Sequence, residues 1–373
     1  MISNIARRDR DFVYVRPSLL SPLTSADGRG AGGKPVYALE TRRKCMIQAN
    51  ASKPLITVAG AASKQGRSVA EALLDSGRYR VRALTRRRDS QPAQILAQKG
   101  AEVVVAPLEP GMQAELTAAM SGSAGAFLMT PPIVKVPPAE PELTLGKELA
   151  NAAVAAGVEH VVFSGLENVE ARTGGTKWAP HFTDKSKVED YIRSLPIRSS
   201  FVYLAFFYTN FLEYYVPQRG DDGITFAIYL PPHIPMPFCD PLTAAGPAVR
   251  EIFDHPTRYA GKTLPVIGEF ISAQDMVDTF VRVTGQRARY ASAYSREELL
   301  RHFPSFAADE HLLRELVGMV EYAVEYGYYA PERDLTWSRK IDPQALTWGQ
   351  FLKRRNWQGE LQTFGAAPEL VPT

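Results

Sequence analysis

Short apolar runs alternate with helix-like stretches along the chain between residues 55 and 202. Strands that are buried on both faces of a sheet read as continuous β-branched runs, and neighbouring parallel strands need a crossover helix between them. The alternation therefore predicts an α/β fold with a doubly wound parallel sheet and right-handed crossovers. The predicted strands are 55–59, 80–85, 102–105, 125–130, 160–164 and 198–202, and the predicted helices are 66–76, 92–99, 112–120, 140–156 and 184–194.

The composition excludes several classes of protein. Of the 373 residues, 45% are apolar and 22% are charged, which excludes wholesale disorder, collagen-like repeats and a coiled-coil rod. The longest strongly apolar run, residues 201–208, is far shorter than the roughly 20 residues that cross a bilayer, so no membrane partner is expected. Two cysteines, Cys45 and Cys239, form neither a disulfide framework nor a four-cysteine zinc site. We therefore expect a reducing compartment, the cytoplasm or the nucleus.

Residues 1–52 differ from the rest of the chain. They carry nine Lys and Arg against four Asp and Glu, and they show no sustained periodicity. We expect a disordered extension or a gene start assigned too early, with Met46 as the alternative first residue; an organellar targeting segment and a functional arm remain alternatives. The other residues carry a slight net negative charge, so direct binding to nucleic acid is not expected.

The turn between the first predicted strand and helix has the spacing of a phosphate-binding loop. Backbone N–H groups and the helix N-terminus of such a turn face a pyrophosphate, whose charge the helix dipole favours. Ser63 stands where a third glycine is common, and its hydroxyl could donate to a phosphate oxygen. A plain connecting turn is the alternative, but the position after a clean strand favours a dinucleotide site. The turn consists of Gly60, Ala61, Ala62, Ser63, Lys64, Gln65 and Gly66.

The end of the second predicted strand distinguishes between the two dinucleotides. An NAD site presents Asp or Glu to the ribose about 20 residues after the loop, whereas this chain has Thr85 followed by Arg86, Arg87 and Arg88. A guanidinium pairs with a 2′-phosphate through charge-assisted hydrogen bonds. The sequence therefore favours NADP(H) with Arg86 as the main contact, and a solvated cationic turn is the alternative.

Several collinear segments between Val58 and Trp357 resemble the NmrA-like family, a branch of the atypical short-chain dehydrogenases/reductases. They include residues 60–66, Leu84-Thr85-Arg86, residues 127–131, Ser164-Gly165-Leu166-Glu167-Asn168 and His181-Phe182-Thr183-Asp184-Lys185. The resemblance implies an NADP(H)-binding Rossmann lobe, a smaller C-terminal α/β lobe and a cleft between them. In this interpretation the Rossmann lobe spans residues 53–210 and regains 242–270, the smaller lobe holds 211–241 and 271–360, and 361–373 form a tail.

The resemblance also implies which residues contact the cofactor. The family's contacts map onto residues 60–65, Arg86, Met129, Thr130, Pro131, Lys185, Phe207, Tyr208, Thr209 and Asn210. Two departures stand out. Ser63 replaces the middle glycine of the loop, and Ala106-Pro107-Leu108 stands where the family often has an acidic residue near the adenine. The nucleotide end is therefore expected to bind differently or more weakly.

The catalytic residues are less clearly indicated. Ordinary short-chain dehydrogenases combine a serine with Tyr-x-x-x-Lys on one helix, where the ammonium lowers the pKa of the phenol. Here Ser164 ends the fifth predicted strand, His181 holds the tyrosine position and Lys185 follows four residues later. Lys185 is either an acid/base or a clamp on the nicotinamide ribose; the run Phe182 to Lys185 resembles the Phe-x-x-Lys of isoflavone-reductase-like relatives, which implies the acid/base role. His181 could relay a proton or be a polar residue at a helix start. Ser164 could orient the substrate, or its hydroxyl could form a hydrogen bond with a backbone group at the end of the strand.

The residues after Phe211 predict a second lobe. Residues 231–237 hold four prolines, which excludes a central strand or a helix interior and predicts a rigid loop near the cleft. Cys239 is expected to be a packed loop thiol, and the six histidines have no metal-ligand spacing. Tyr203 and Tyr208 are expected in the core, although either could supply a catalytic hydroxyl. The apolar stripe Leu316, Val320, Ala323 and Val324 is expected to pack in the core or in a dimer, and Trp348 and Phe351 to dock a last short helix.

The sequence thus supports two hypotheses about function. The first is an NADP(H)-dependent oxidoreductase acting on a small organic carbonyl or conjugated double bond, with an apolar, aromatic or polyketide-like substrate of secondary metabolism. The second is a non-catalytic NADP(H)-binding redox sensor that acts through a protein partner or a homodimer. The missing tyrosine favours the sensor, whereas Lys185 and Ser164 favour the enzyme.

Overall fold

The computed structural model describes residues 53–131 and 140–364. The predicted N-terminal extension, residues 1–52, lies outside the described residues, as do 132–139 and 365–373. Within the described ranges, no helix is long and apolar enough to cross a membrane.

A seven-stranded parallel sheet forms the centre of the fold. Its order is β11-β6-β5-β4-β1-β2-β3, so the chain winds outward in two directions from β1. The doubly wound parallel sheet that the sequence predicts is confirmed. Its strands are β1 (Leu55–Val58), β2 (Arg80–Thr85), β3 (Glu102–Val105), β4 (Gly125–Leu128), β5 (His160–Gly165), β6 (Arg198–Leu204) and β11 (Thr263–Val266).

Helices connect these strands and cover both faces of the sheet. Gly246 lets one of them approach the first helix closely, because a Cβ there would overlap the backbone oxygen of Ser68. Its N–H donates to the Ser68 hydroxyl at 2.9 Å. The helices are Lys64–Asp75, Gln91–Gln98, Gln113–Met120, Pro141–Ala155, Val169–Thr173, Pro180–Ser194, Asn210–Glu213, Ala245–Asp254, Pro256–Tyr259, Ala273–Thr284, Arg296–His302, Glu310–Tyr326, Trp337–Ile341 and Trp348–Arg355, with a 3₁₀ turn at Pro304–Ala308.

Two three-stranded sheets accompany the central one. The first has the order β12 (Glu269–Ile271), β10 (Met236–Cys239), β7 (Phe206–Phe207), and the second the order β13 (Ala288–Ser292), β9 (Gly223–Ile228), β8 (Gln218–Gly220). The prediction that residues 231–237 contain no central strand is wrong, because β10 is the middle strand and includes Pro237. The proline is tolerated because β7 pairs only with Phe238 and Cys239, so Pro237 has a neighbouring strand on one side alone.

The C-terminal segment is fastened to the central sheet through a buried carboxylate. Glu167, which follows β5, accepts hydrogen bonds from the Arg333 guanidinium at 2.8 and 2.9 Å and from the backbone N–H of Ala330 at 2.9 Å. Trp348 and Phe351 are fully buried and anchor the last helix, as the sequence predicts. Cys239 is buried at the end of β10 rather than in a loop, and burial raises the pKa of its thiol.

Candidate functional site

The turn after β1 is a tight cradle that requires glycine at both ends. Gly60 has a positive φ of +62°, which favours glycine, and a Cβ on Gly66 would overlap the backbone oxygen of Gly60. Two backbone hydrogen bonds hold the turn, from Ala61 to Leu84 at 2.9 Å and from Ser63 to Gly60 at 2.8 Å. Helix Lys64–Asp75 starts directly behind it with no acidic residue in its first turn. The positive end of the helix dipole therefore faces the cradle, which fits a diphosphate.

Ser63 has a structural role in this turn. Its hydroxyl oxygen accepts from the N–H of Gly66 at 3.2 Å and so caps the helix, while the hydroxyl donates to Sδ of Met129 at 3.3 Å. Donation to a phosphate oxygen remains a prediction, and it would require the hydroxyl to leave Met129.

Arg86 directly follows β2 and is exposed to solvent. Of the other two arginines in this turn, Arg87 lies 3.8 Å from Asp89, and Arg88 donates to the backbone oxygen of Val103 at 3.0 Å. Because β2 pairs with β1, Arg86 stands at the carboxyl end of the strand next to β1, where an adenosine 2′-phosphate is held in folds of this kind.

A cavity of about 340 Å³ opens at the carboxyl ends of β1, β4, β5 and β6. Ten of the predicted site residues line it: Ser63, Lys64, Gln65, Met129, Thr130, Ser164, His181, Lys185, Phe207 and Asn210. The other predicted site residues lie outside the lining, and two of them, Tyr208 and Thr209, are fully buried; the rest are Gly60, Ala61, Ala62, Gly66, Arg86 and Pro131. The structure therefore brings the three candidate catalytic residues to one cavity.

The remaining walls of the cavity are largely aromatic and aliphatic. Phe206, Tyr214 and Tyr215 come from residues 206–215, a segment rich in aromatic side chains. Helix Glu310–Tyr326 supplies another wall. The sequence did not predict this wall, because Leu316, which lines the cavity, was expected to pack in the core or in a dimer. Leu312, Glu315, Met319, Tyr229, Phe306 and Tyr328 complete this side.

Lys185 is buried and fully engaged by neighbouring groups. Its ammonium donates to the backbone oxygen of Thr130 at 3.0 Å and to the Thr130 hydroxyl at 2.9 Å, and it forms an ion pair with Glu142. Glu142 is completely buried in helix Pro141–Ala155. Burial raises the pKa of the adjacent Asp184 to about 6, and the charge of Glu142 adds to the shift. Lys185 therefore compensates the charge of the buried Glu142 carboxylate beside the site.

Ser164 lies at the end of β5 with its side chain in the cavity. Its hydroxyl donates to Oε1 of Gln65 at 2.7 Å, so it links the fifth strand to the phosphate loop. The serine thus has a partner of its own in the described structure, and a bound substrate would have to compete with Gln65 for it.

His181 forms a dyad with Glu315. One carboxylate oxygen of Glu315 accepts from the backbone N–H of His181 at 2.9 Å and contacts the ring nitrogen Nδ1. The carboxylate is almost completely buried, and its other oxygen has no hydrogen-bond partner among the described residues. Sequence analysis missed Glu315; the available signal was an acidic residue between Leu312 and Leu316 on an apolar helix face.

Tyr203 and Tyr208 do not take the place of the missing catalytic tyrosine. The Tyr203 hydroxyl donates to Glu189 at 2.8 Å and the Tyr208 hydroxyl to Glu269 at 2.9 Å, and neither ring lines the cavity. Burial raises the pKa of both hydroxyls, with the neighbouring carboxylates adding to the shift. Both residues are core residues.

Comparison with known proteins relates this chain to one family. The model of the NmrA-like family matches residues 52–352. The NmrA-like family domain-containing oxidoreductase FrzB of a Cladobotryum species is 33% identical over 74% of this chain and 87% of that protein. The oxidoreductase malD of Malbranchea aurantiaca is 34% identical over 64% of this chain and 75% of that protein.

Two solved structures have the same fold at low sequence identity. NmrA, described as a negative transcriptional regulator and solved in complex with NADP, superimposes with a TM-score of 0.63 at 22% identity, covering 80% of this chain and 94% of that one. Triphenylmethane reductase of a Citrobacter species, complexed with NADP(H), gives a TM-score of 0.62 at 17% identity, covering 81% and 99%.

Proposed function

The chain belongs to the NmrA-like family, and we propose that it is an NADP(H)-dependent oxidoreductase that reduces or oxidises a small organic carbonyl or conjugated substrate. The observation that carries the proposal is the single cavity that joins the start of the phosphate-loop helix to Ser164, His181 and Lys185. Relatives that are named oxidoreductases, among them FrzB and malD, support it. The apolar and aromatic walls favour an apolar substrate.

The residues of this chain fit an NADP(H) molecule, which supplies or accepts the hydride when bound. Residues 60–66 would hold its diphosphate, and Arg86 would pair with its 2′-phosphate. Met129, Thr130, Pro131, Lys185, Phe207 and Asn210 are the proposed contacts toward the nicotinamide; Tyr208 and Thr209, being buried, would support this region from below. NADP and NADP(H) in the structures of NmrA and triphenylmethane reductase support the assignment.

His181 is the proposed proton-transfer group. Lys185 is already bonded to Thr130 and Glu142, and Ser164 to Gln65, whereas the Nε2 atom of His181 has no hydrogen-bond partner among the described residues. Glu315 holds the ring through Nδ1 and carries a negative charge that balances an imidazolium. Nε2 would then give a proton to a substrate oxygen in reduction, or take one in oxidation. In this arrangement Lys185 is a clamp and Ser164 orients the substrate.

The dyad can be tested by its effect on turnover. Replacing His181 with Gln is expected to lower kcat about a hundredfold or more, the usual contribution of a general acid or base, while NADPH affinity is retained. Glu315→Gln should lower kcat less and change the pH profile of kcat, because it alters the charge and hydrogen bonding at Nδ1. The measurement is NADPH consumption with a panel of apolar aldehydes, ketones and quinones. Glu325→Gln, an exposed change on the same helix, is the control. Unchanged kcat in His181→Gln would mean that the proton comes from another group.

The regulator hypothesis remains the second candidate function, since the two side chains that ordinarily assist catalysis are bound by other side chains of this protein. Lys185 is held by Glu142 and Ser164 by Gln65, as expected of a site that binds a dinucleotide without turning it over. NmrA, a structural neighbour described as a negative transcriptional regulator, supports this alternative. In that case no substrate would consume NADPH, and exchanging NADP⁺ for NADPH would shift self-association or affinity for a protein partner.

A further inference from the structure

A second cavity, of about 390 Å³, lies beside the first helix and under the last one. It is bounded by Arg67 and Glu71 of helix Lys64–Asp75, by the turn at Asp240, and by Arg354 and Arg355 at the end of helix Trp348–Arg355. It shares no lining residue with the candidate active site, and neither the phosphate loop nor Arg86 contributes to it. It is therefore a separate feature of the molecule.

Two half-buried guanidinium groups in this cavity have no carboxylate of the described residues at ion-pair distance. Neither the Arg67 nor the Arg355 guanidinium forms a hydrogen bond or ion pair with a described residue, and the Nε atom of Arg355 is buried without a partner among them. The Arg355 guanidinium makes cation–π contacts with two aromatic rings, at 4.9 Å from the ring centre of Phe351 and 4.7 Å from that of Phe364. Its N–H donors, which lie along the edge of the group, form no hydrogen bond with a described residue.

The charges around the cavity leave a positive excess. Burial lowers the pKa of both Arg67 and Arg355, and for Arg355 the charges of Arg67 and Arg354 lower it further. Three carboxylates, Glu71, Asp240 and Glu213, oppose this, but each is engaged elsewhere, Glu213 in an ion pair with Lys64. Glu71 faces Lys99 at 3.7 Å, and Asp240 accepts from the backbone N–H of Leu242 at 3.0 Å and from the Thr243 hydroxyl at 3.2 Å. Burial of the two guanidinium groups therefore costs desolvation free energy. No carboxylate of the described residues lies close enough to either group to form an ion pair that would offset this cost.

We propose that this cavity binds a phosphate dianion, free or carried by a small metabolite, between Arg67 and Arg355 with Arg354 at its rim. The planar forks of arginine bind phosphate oxygens in pairs, and a dianion removes the repulsion between the two guanidinium groups. The ligand would connect the last helix to the helix that begins at the phosphate loop, so it would stabilise the fold. The site goes beyond the proposed function and does not depend on it.

Calorimetric titration of the full chain with inorganic phosphate, in a buffer without other polyvalent anions, tests the site. We expect one saturable site and a higher melting temperature with phosphate. Arg67→Gln and Arg355→Gln, made separately in case one fails to fold, should each weaken binding at least tenfold. Lys353→Gln, an exposed change on the same helix, should bind like the wild type. Absence of saturable binding to the wild type, or phosphate affinity equal to that of the wild type in both arginine variants, would overturn the proposal.

A second arm distinguishes this site from the phosphate of the coenzyme. NADPH and NADH affinities are measured for Arg355→Gln, and phosphate affinity is measured for Arg86→Ala. A separate site predicts unchanged affinity in all three measurements. If Arg355→Gln weakens NADPH but not NADH, and saturating NADPH abolishes phosphate binding, the cavity belongs to the coenzyme and the separate site is rejected. Failure of NADPH to bind at all would reject the proposed function and leave the phosphate result unaffected.

Discussion

NADPH is expected to bind roughly a hundredfold more weakly when Arg86 is replaced by alanine, while NADH affinity changes by no more than about twofold. Hydrogen bonds to a charged group contribute about 1.5–3 kcal/mol each, and 2.7 kcal/mol corresponds to a hundredfold change in Kd. The effect is selective because only NADPH carries the 2′-phosphate that the guanidinium would pair with. Fluorescence titration of the variant with both coenzymes measures it directly.

The neighbouring arginine provides the matched control for this experiment. Arg87 belongs to the same exposed turn, one residue further from the end of β2, and lies 3.8 Å from Asp89. Arg87→Ala should therefore leave both affinities close to those of the wild type. A loss of the same size for NADPH and NADH in Arg86→Ala would contradict the assignment, since it would indicate general damage to the nucleotide site rather than loss of a phosphate contact.

Replacing Lys185 with Met is expected to lower both stability and coenzyme-dependent turnover. The substitution removes the cation beside the fully buried Glu142, and breaking a buried ion pair in this way typically costs 3–5 kcal/mol. Urea unfolding measures the first effect. The double variant Lys185→Met/Glu142→Leu removes both charges, so it should recover much of the lost stability.

The double variant separates the two roles that Lys185 could have. If the lysine is a catalytic acid/base, the refolded double variant binds NADPH normally but does not turn it over. If it is a clamp on the coenzyme, NADPH affinity falls and residual turnover at saturating NADPH persists. If the double variant recovers turnover and NADPH affinity together with its stability, both roles are contradicted. Lys185 would then have a structural function alone.

The sequence predicts the central sheet well because a buried parallel strand has a local signature. Of the six predicted strands, β2 and β3 have the predicted bounds, and β1, β4, β5 and β6 each differ by one or two residues at one end. The largest error concerns helix Pro180–Ser194, which begins four residues before the predicted start at 184. Proline suits the first turn of a helix, where no N–H bond is needed, so Pro180 begins the helix rather than preceding it. The helix therefore carries His181 as well as Lys185.

The site was only partly predictable, because its decisive contacts join distant parts of the chain. The partner of His181 is 134 residues away in sequence, and that of Lys185 is 43 residues away. No local pattern specifies such pairs, since they depend on how helices pack on the sheet. Strand β10 was missed for a related reason: a proline is excluded from a central strand only where both of its sides are paired, and that is known only from the tertiary structure.

The central claim is that the turn at residues 60–66 and Arg86 hold one NADP(H) molecule next to the cavity that contains His181 and Lys185. Equilibrium titration of the purified chain with NADPH, followed by a crystal structure of the complex, tests it most directly. The account predicts saturable binding of one NADPH per chain, with the diphosphate on the turn, the 2′-phosphate at Arg86 and the nicotinamide in the cavity. A chain that does not bind NADPH, or a coenzyme found elsewhere on the molecule, would contradict it.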